Sequence, residues 1–258
     1  MSVSVIGSLY TNGKIWISDN LCELVGPLTP GLFATSCTRF ADGFFVTVEL
    51  LVLSTLIGFV LAVMLALART SNVASLSVPA YAYTYVFRGT PLLVQLWVFY
   101  YGFGALGAEG LGPFWPLFRD AYSVGLIVLT INTAAYAAEI FRGGIVNVAH
   151  GQVEAATAMG MDWWTTMRRI VLPQAFRIAW PAYSNEVVLL LKGSALVSTI
   201  TVLDLMGQTR TIFARSYSLD IFIYAAVLYL TLSATLTVLL RWIEARMRLP
   251  GQDGNGSG

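Results

Sequence analysis

Five stretches of this chain are long, apolar and nearly free of charge, and no water-soluble fold accommodates all of them. A helix needs about 20 predominantly apolar residues to cross about 30 Å of hydrocarbon. Residues 44–68 carry a single charge, Glu49, while residues 89–108 and 221–240 carry none. Residues 121–138 are also uncharged, and Glu139 follows directly. Residues 178–200 contain Glu186 and Lys192, yet the segments VVLLL and SALVSTI around them suit lipid. The reading is an all-α integral membrane protein with about five transmembrane helices, over 44–68, 89–108, 121–141, 178–200 and 221–240.

The composition of the 258-residue chain agrees. Only 11% of residues are charged against 57% hydrophobic, where a soluble chain carries about 25% charge. A net charge of +1 excludes a broadly basic nucleic-acid surface and an acidic disordered chain, since each requires an excess of one sign. The expected partner is the lipid bilayer, and no nucleic acid.

An odd number of spans places the termini on opposite sides, and the Lys/Arg distribution gives the orientation. Arg69, Arg88, Arg142, Arg168, Arg169, Arg177, Arg241, Arg246 and Arg248 fall on one side. Lys14, Arg39, Arg119, Arg210 and Arg215 fall on the other. The more basic side is cytoplasmic, which puts the N-terminus outside and the C-terminus inside. The first ten residues lack the positive n-region of a cleavable signal, so the first span is expected to serve as the insertion signal.

Between the spans, residues 1–43 are punctuated by Gly13, Gly26, Pro27, Pro30 and Gly31 and read as an external tail rather than a domain. Cys22 and Cys37 both lie in it. An oxidising compartment permits a disulfide there, but two unpaired small apolar side chains is the favoured reading, because sequence supplies no geometry. Residues 70–87, with three tyrosines and several serines, suit an interfacial helix. The Arg88-Gly89-Thr90-Pro91 stretch then breaks the chain and starts the second span, proline being tolerated in a first helical turn. Residues 249–258 form a Gly-rich polar tail expected to be flexible. No internal repeat is visible, which weighs against a transporter built of inverted halves.

The one long inner loop, 143–176, is the informative segment. Residues 152–159 are Ala-rich and favour helix, and Gly160 sits where a left-handed cap ends one. Asp162 is placed to cap a second short helix through Trp163, Trp164, Met167 and Ile170, which Pro173 follows. Two short helices about a glycine turn make a knob that exposes Ala155, Ala156, Met159 and two tryptophans. A lone membrane protein does not keep such a surface wet; the alternative is a helix lying on the headgroups.

Within this loop Glu154-Ala155-Ala156, then Gly160 after three residues, then Ile170, Leu172 and Pro173 after nine more, resembles the EAA loop of membrane subunits of ABC importers. FRGTPLLVQLWVFYYG (87–102), NTAAYAAEIFRGGI (132–145) and PAYSNEVVLLLKGSAL (181–196) are similar to the polar amino-acid branch, above all to the histidine, lysine/arginine/ornithine and opine permeases. The resemblance covers about residues 40–248. It implies a type I importer fold in the bacterial inner membrane, a second permease subunit forming a heterodimer, an ABC ATPase dimer, and a periplasmic solute-binding protein. It also implies a substrate that is a basic amino acid or an opine. The helix from Glu154 to Gly160 is then the coupling helix that docks in a groove on the ATPase. The chain itself has no P-loop, so ATP and Mg belong to the partner ATPase and this subunit is not an enzyme.

On a helix, Asn185, Lys192 and Thr199 recur every seven positions and form one stripe, with Glu186 roughly 100° away. Charges inside a bilayer normally face protein or a water-filled path, so this face lines the translocation path or the subunit interface. An ion pair that only fixes packing is the alternative, and a stand-alone secondary transporter or channel using Glu186 and Lys192 is the competing function. Arg88 pairs with Glu139 or snorkels to the headgroups, Glu139 having a structural partner rather than a substrate. His150 has no ligand-spaced Cys or carboxylate, which argues against a metal site, and no nucleophile-and-base set appears.

Overall fold

A computed structural model describes residues 22–23 and 32–247. Most of the 1–43 segment and the 249–258 tail lie outside those residues. The described residues form helices, with no strand among them. In chain order these are α1 (Leu32–Thr70), α2 (Ala74–Gly89), α3 (Leu92–Trp97), α4 (Gly107–Leu111), α5 (Trp115–Arg119) and α6 (Ala121–Val146). There follow α7 (His150–Ala158), α8 (Trp163–Thr166), α9 (Leu172–Ser194), α10 (Leu205–Ser216) and α11 (Asp220–Met247).

Among the described residues three helices, α1, α6 and α11, are long and apolar enough to cross a membrane. The run Trp163–Ile200 and Leu205–Ser216, which meet at a 47° bend, pass the same test only when taken together, as a broken span or a re-entrant loop. The chain divides into two compact units: residues 1–53, 92–128 and 191–232 form one, and 54–91, 129–190 and 233–258 the other. It passes between them five times.

Three features differ from those expected. The first helix starts at Leu32 rather than 44, so the last part of the segment read as a tail is helical. Arg39 and Asp42 stop the apolar run without breaking a helix, and Phe40 is buried against Leu205, Ile212, Ile221 and Ala225. Second, Cys22 and Cys37 are joined in a disulfide with Cα atoms 5.6 Å apart, contrary to the unpaired reading. Third, residues 89–108 are not one continuous span. Helix α2 ends at Gly89, Thr90 is extended, and α3 continues only as a π-helical turn, Val98–Phe103. Pro91 disfavours helical backbone at the residue before it, and 12 residues reach only about 18 Å.

In the first unit α10 is held by buried polar groups. Thr47, Asp204 and Thr209 are fully buried. Asp204 caps α10 by accepting from the Gly207 N–H at 2.9 Å, and its second oxygen accepts from the Tyr229 hydroxyl at 3.3 Å. The Leu205 N–H donates to the Thr47 hydroxyl at 3.0 Å. A Cβ on Gly43 would lie 2.8 Å from the Asp204 carbonyl, so only glycine admits this approach.

The second unit is built around Phe59, Phe141, Phe176, Trp180 and Tyr183, with ring centroids 5.1–6.0 Å apart. Trp180 satisfies its buried indole N–H on the Leu240 carbonyl at 3.3 Å, as buried tryptophan requires. Helices α6 and α9 touch where a Gly144 Cβ would fall 2.5 Å from the Ala175 carbonyl.

Candidate functional site

The knob is built from short-range devices. Helix α7 runs from His150 to Ala158 and closes in a two-bond C-terminal turn. The Gly160 N–H donates to Thr157 and the Met161 N–H to Ala156, at 2.9 and 3.0 Å. That is the Schellman arrangement, which demands a left-handed residue after the last helical turn, and Gly160 supplies it with φ +76°. Two residues on, Asp162 caps α8, accepting from the Trp164 and Thr165 N–H groups at 3.1 and 3.4 Å and from the Thr165 hydroxyl. The Thr165 hydroxyl first, and the two backbone donors with it, hold the Asp162 carboxyl below the usual aspartate range.

The second knob helix does not stop before Pro173 as the sequence suggested. Helix α8 passes through a π-helical turn, Met167–Val171, into α9, and the Leu172 N–H donates to Met167 five residues back. Pro173 has no N–H and crowds the carbonyl four residues before it. One wide turn relieves that conflict without ending the helix.

The sequence-predicted residues separate within this frame. Glu154 and Ala155 are exposed on α7, and Gly160 is exposed at the turn. Ala156 is buried at 1% exposure, so its small side chain serves the knob's own packing rather than an outer contact. Ile170 and Leu172 are half-buried, and Pro173 is exposed. The knob rests on Val148, Val171 and Ala175, with Val153 and Met167 against them. At its tip Met159, Trp163 and Trp164 are 71%, 62% and 67% exposed, the two indoles edge to face with centroids 5.1 Å apart. An apolar tip of this size outside a protein core marks a contact surface.

One brace was missed by the sequence reading. The Gln174 amide donates to the Gln152 side chain, tying α9 to α7, and also to the Ile170 carbonyl at 3.1 Å. Neither glutamine stands out in sequence, because the pairing is made by the fold.

On α9 the expected stripe is only partly realised. Asn185 and Lys192 are exposed, whereas Thr199 is half-buried and its hydroxyl accepts from the Trp97 indole at 3.2 Å. The cause is a change of helix type: residues Ala195–Ile200 are 3₁₀ helix, where each step turns the chain about 20° further than in an α-helix. Glu186 is buried at 9% exposure. It has no ion pair among the described residues. Asn185 faces a cavity of about 190 Å³ shared with Ser184, Arg241 and Glu244.

Glu139 is paired as expected, but not with Arg88. Its carboxylate meets Arg142, the Nε donating at 2.7 Å, and Arg69 at 3.3 Å. Arg69 also donates to the Thr84 hydroxyl at 2.7 Å. Arg88 instead lies over the Tyr136 ring, 5.4 Å from its centroid. His150 opens α7 as an exposed residue.

Comparison with known proteins places this architecture. Residues 54–249 match the family of the binding-protein-dependent transport system inner membrane component. The chain is 47% identical to the histidine/lysine/arginine/ornithine transport system permease protein HisM of Escherichia coli, over 88% of this chain and 95% of that one. It is 42% identical to the octopine transport system permease protein OccM of Rhizobium radiobacter, over 84% and 90% of the two chains. An amino acid ABC transporter crystallised with histidines superposes with a TM-score of 0.75 at 34% identity, covering 84% of this chain and 99% of that one. The inward-facing MetNI methionine ABC transporter matches with a TM-score of 0.67 at 20% identity, a likeness of fold.

Proposed function

From a chain that belongs to the family of binding-protein-dependent transport system inner membrane components, we propose a permease subunit of an ATP-driven importer of basic amino acids or opines. It is a multi-pass inner-membrane protein. Its partners are a second, different permease subunit, a pair of ABC ATPases that bind ATP and Mg, and a periplasmic solute-binding protein. The N-terminus is periplasmic and the C-terminus cytoplasmic. The substrate reading rests on relatives that serve histidine, lysine, arginine and ornithine or octopine.

The observation that carries the coupling role is the knob. Its fold is secured by its own turns, which leaves Glu154, Ala155, Met159, Trp163 and Trp164 facing outward. In this reading Glu154, Ala155 and Gly160 contact the ATPase groove, Ala156 packs the knob, and Ile170, Leu172 and Pro173 join it to α9. Closure of the ATPases on ATP moves the two knobs, and the attached helices switch as rigid bodies. Asn185, Glu186, Lys192 and Thr199 line the translocation path or the interface with the second permease, a buried carboxylate with no ion pair among the described residues being costly unless another molecule faces it.

The test is ATP hydrolysis by the importer reconstituted in nanodiscs with its sister subunit, ATPase and binding protein. Hydrolysis stimulated by liganded binding protein and abolished by Gly160→Asp is the expected result. Transport by this chain alone along an ion gradient, with no ATPase bound, would overturn it.

A further inference from the structure

Apolar side chains alone line a cavity of about 220 Å³ in the second unit, between α1, α6 and α9. It lies at the root of the knob: Ile145 and Ala175 line it and also belong to the cluster on which the knob rests. The rings of Phe59, Phe141 and Phe176 wall part of it, with centroids 5.4–6.0 Å apart. Phe59, Val63, Leu67, Ile145, Leu172 and Phe176 are half-buried, so the cavity reaches the surface of the unit. No hydroxyl, amide or charged side chain lines it, and an apolar cavity without such groups does not hold water. A basic amino acid finds no polar partner there either. Hydrocarbon is the occupant that this lining selects.

Uncompensated charge lies on one side of the cavity. Arg168 and Arg169 are in the π-helical turn, four and three residues before Leu172, and both are exposed. Neither has an ion pair among the described residues. Arg69 and Arg142, which follow the lining residues of α1 and α6, are instead committed to Glu139. Two such guanidiniums beside an apolar cavity fit a phosphate ester with apolar chains, since Arg presents paired donors to phosphate. A zwitterionic headgroup brings an ammonium that the arginines repel, and an anionic one does not. In the orientation proposed above, the knob end of α9 is its cytoplasmic end, which sets Arg168 and Arg169 at headgroup level and the cavity on the acyl side. We propose that the cavity takes an acyl chain of an anionic phospholipid of the inner leaflet, with its phosphate on Arg168 and Arg169. The proposal rests on that orientation and not on which solute is carried.

The test uses the whole importer in nanodiscs of phosphatidylcholine that carry a trace of phosphatidylglycerol with a photo-activated diazirine midway along one chain. The label is expected on peptides holding residues 141–145 and 172–176. Unlabelled phosphatidylglycerol should displace it at about a tenth of the amount of added phosphatidylcholine that does so. Inorganic phosphate should not displace it, which separates a lipid from a free phosphate. R168Q/R169Q should cut labelling about ten-fold, the loss of charged hydrogen bonds to phosphate, and R168K/R169K should recover part of it. Val63→Trp, which fills the cavity from α1, should cut labelling as far with both arginines in place. Equal displacement by the two lipids in the unaltered importer overturns the proposal whatever the variants do, as does displacement by inorganic phosphate. A cross-link from Val63→Cys to the second permease assigns the cavity to that subunit and overturns it as well. ATP hydrolysis stimulated by liganded binding protein is measured on the same nanodiscs. Stimulation with no label in the cavity rejects the lipid site and leaves the importer function standing; selective label without stimulation rejects the importer function and upholds the site.

Discussion

Two aspartates in this chain do the same local work in opposite surroundings. Asp162 and Asp204 each cap a helix by accepting from backbone N–H groups two or three residues on. Asp204 is fully buried and gives its other oxygen to Tyr229, a residue of α11. Asp162 is exposed and binds only Trp164 and Thr165 beside it. Helix α10 is thus locked by the rest of its unit, while the knob is locked mainly by itself and turns its apolar tip outward. Burial and polar satisfaction mark residues that maintain the fold. Exposed apolar residues on a self-stabilised element mark residues kept for a partner.

The comparison breaks first, if it is wrong, at Asp204. Asp204→Ala removes the cap and the Tyr229 hydrogen bond from a buried network, for a combined loss of about 3 kcal/mol. The melting temperature of the purified protein in nanodiscs should fall by about 10 °C; an unchanged value would mean that the buried network carries no stability. Gly144→Leu should cost about 2 kcal/mol by forcing α6 away from the Ala175 carbonyl. Gly151→Ala, where a Cβ meets nothing within 4 Å, should leave the same melting curve unmoved.

Smaller and more local effects are expected in the knob. Gly160→Val meets no neighbour, so its cost is backbone strain alone, about 1–2 kcal/mol, with coupled ATP hydrolysis lost well before the fold. Gly160→Asn should keep more coupling than Gly160→Val, since asparagine tolerates the left-handed region. Asp162→Ala should do least, appearing only as faster amide exchange at Trp164 and Thr165. The same cap depends on pH with a defined sign. The folded-state carboxyl is held below its ordinary value, so its contribution is complete above the ordinary aspartate range and is lost as pH falls through the lowered value. Exchange at these amides that is indifferent to acid would show that the carboxylate is not the cap.

The knob was legible in sequence because its turns and caps are local. The Ala-rich helix, the turn at Gly160 and the cap at Asp162 each depend on residues within five positions. The apolar runs were legible for the same reason. What sequence hid was set by distant partners or by competition between rules. Arg69 finds Glu139 across 70 positions, and Gln152 finds Gln174. Phe40 extends the first helix past the apolar run because its ring has a buried site to fill. Pro173 read as a terminator, but a π-helical turn absorbs it; the break expected at Arg88-Gly89-Thr90-Pro91 is present, but the apolar helix after it, Leu92–Phe103, is shorter than a span. Asp204 carried a visible signal, an acid opening a polar helix at the required spacing from Gly207, that was overlooked. The exposed positions of the EAA pattern were found, but the burial of Ala156 separates packing from contact in a way a motif alone does not.

The most direct test is a cross-link from the knob. Cys22 and Cys37 are joined to each other, so Ala155→Cys introduces the one free thiol in the chain and can carry a short photo-activated cross-linker. In the reconstituted importer the label at position 155 should capture the ATPase subunit, and the same label from Leu230→Cys, on the exposed apolar face of α11, should not. Capture of lipid alone from position 155, in complexes that hydrolyse ATP normally, would contradict the knob as the coupling element.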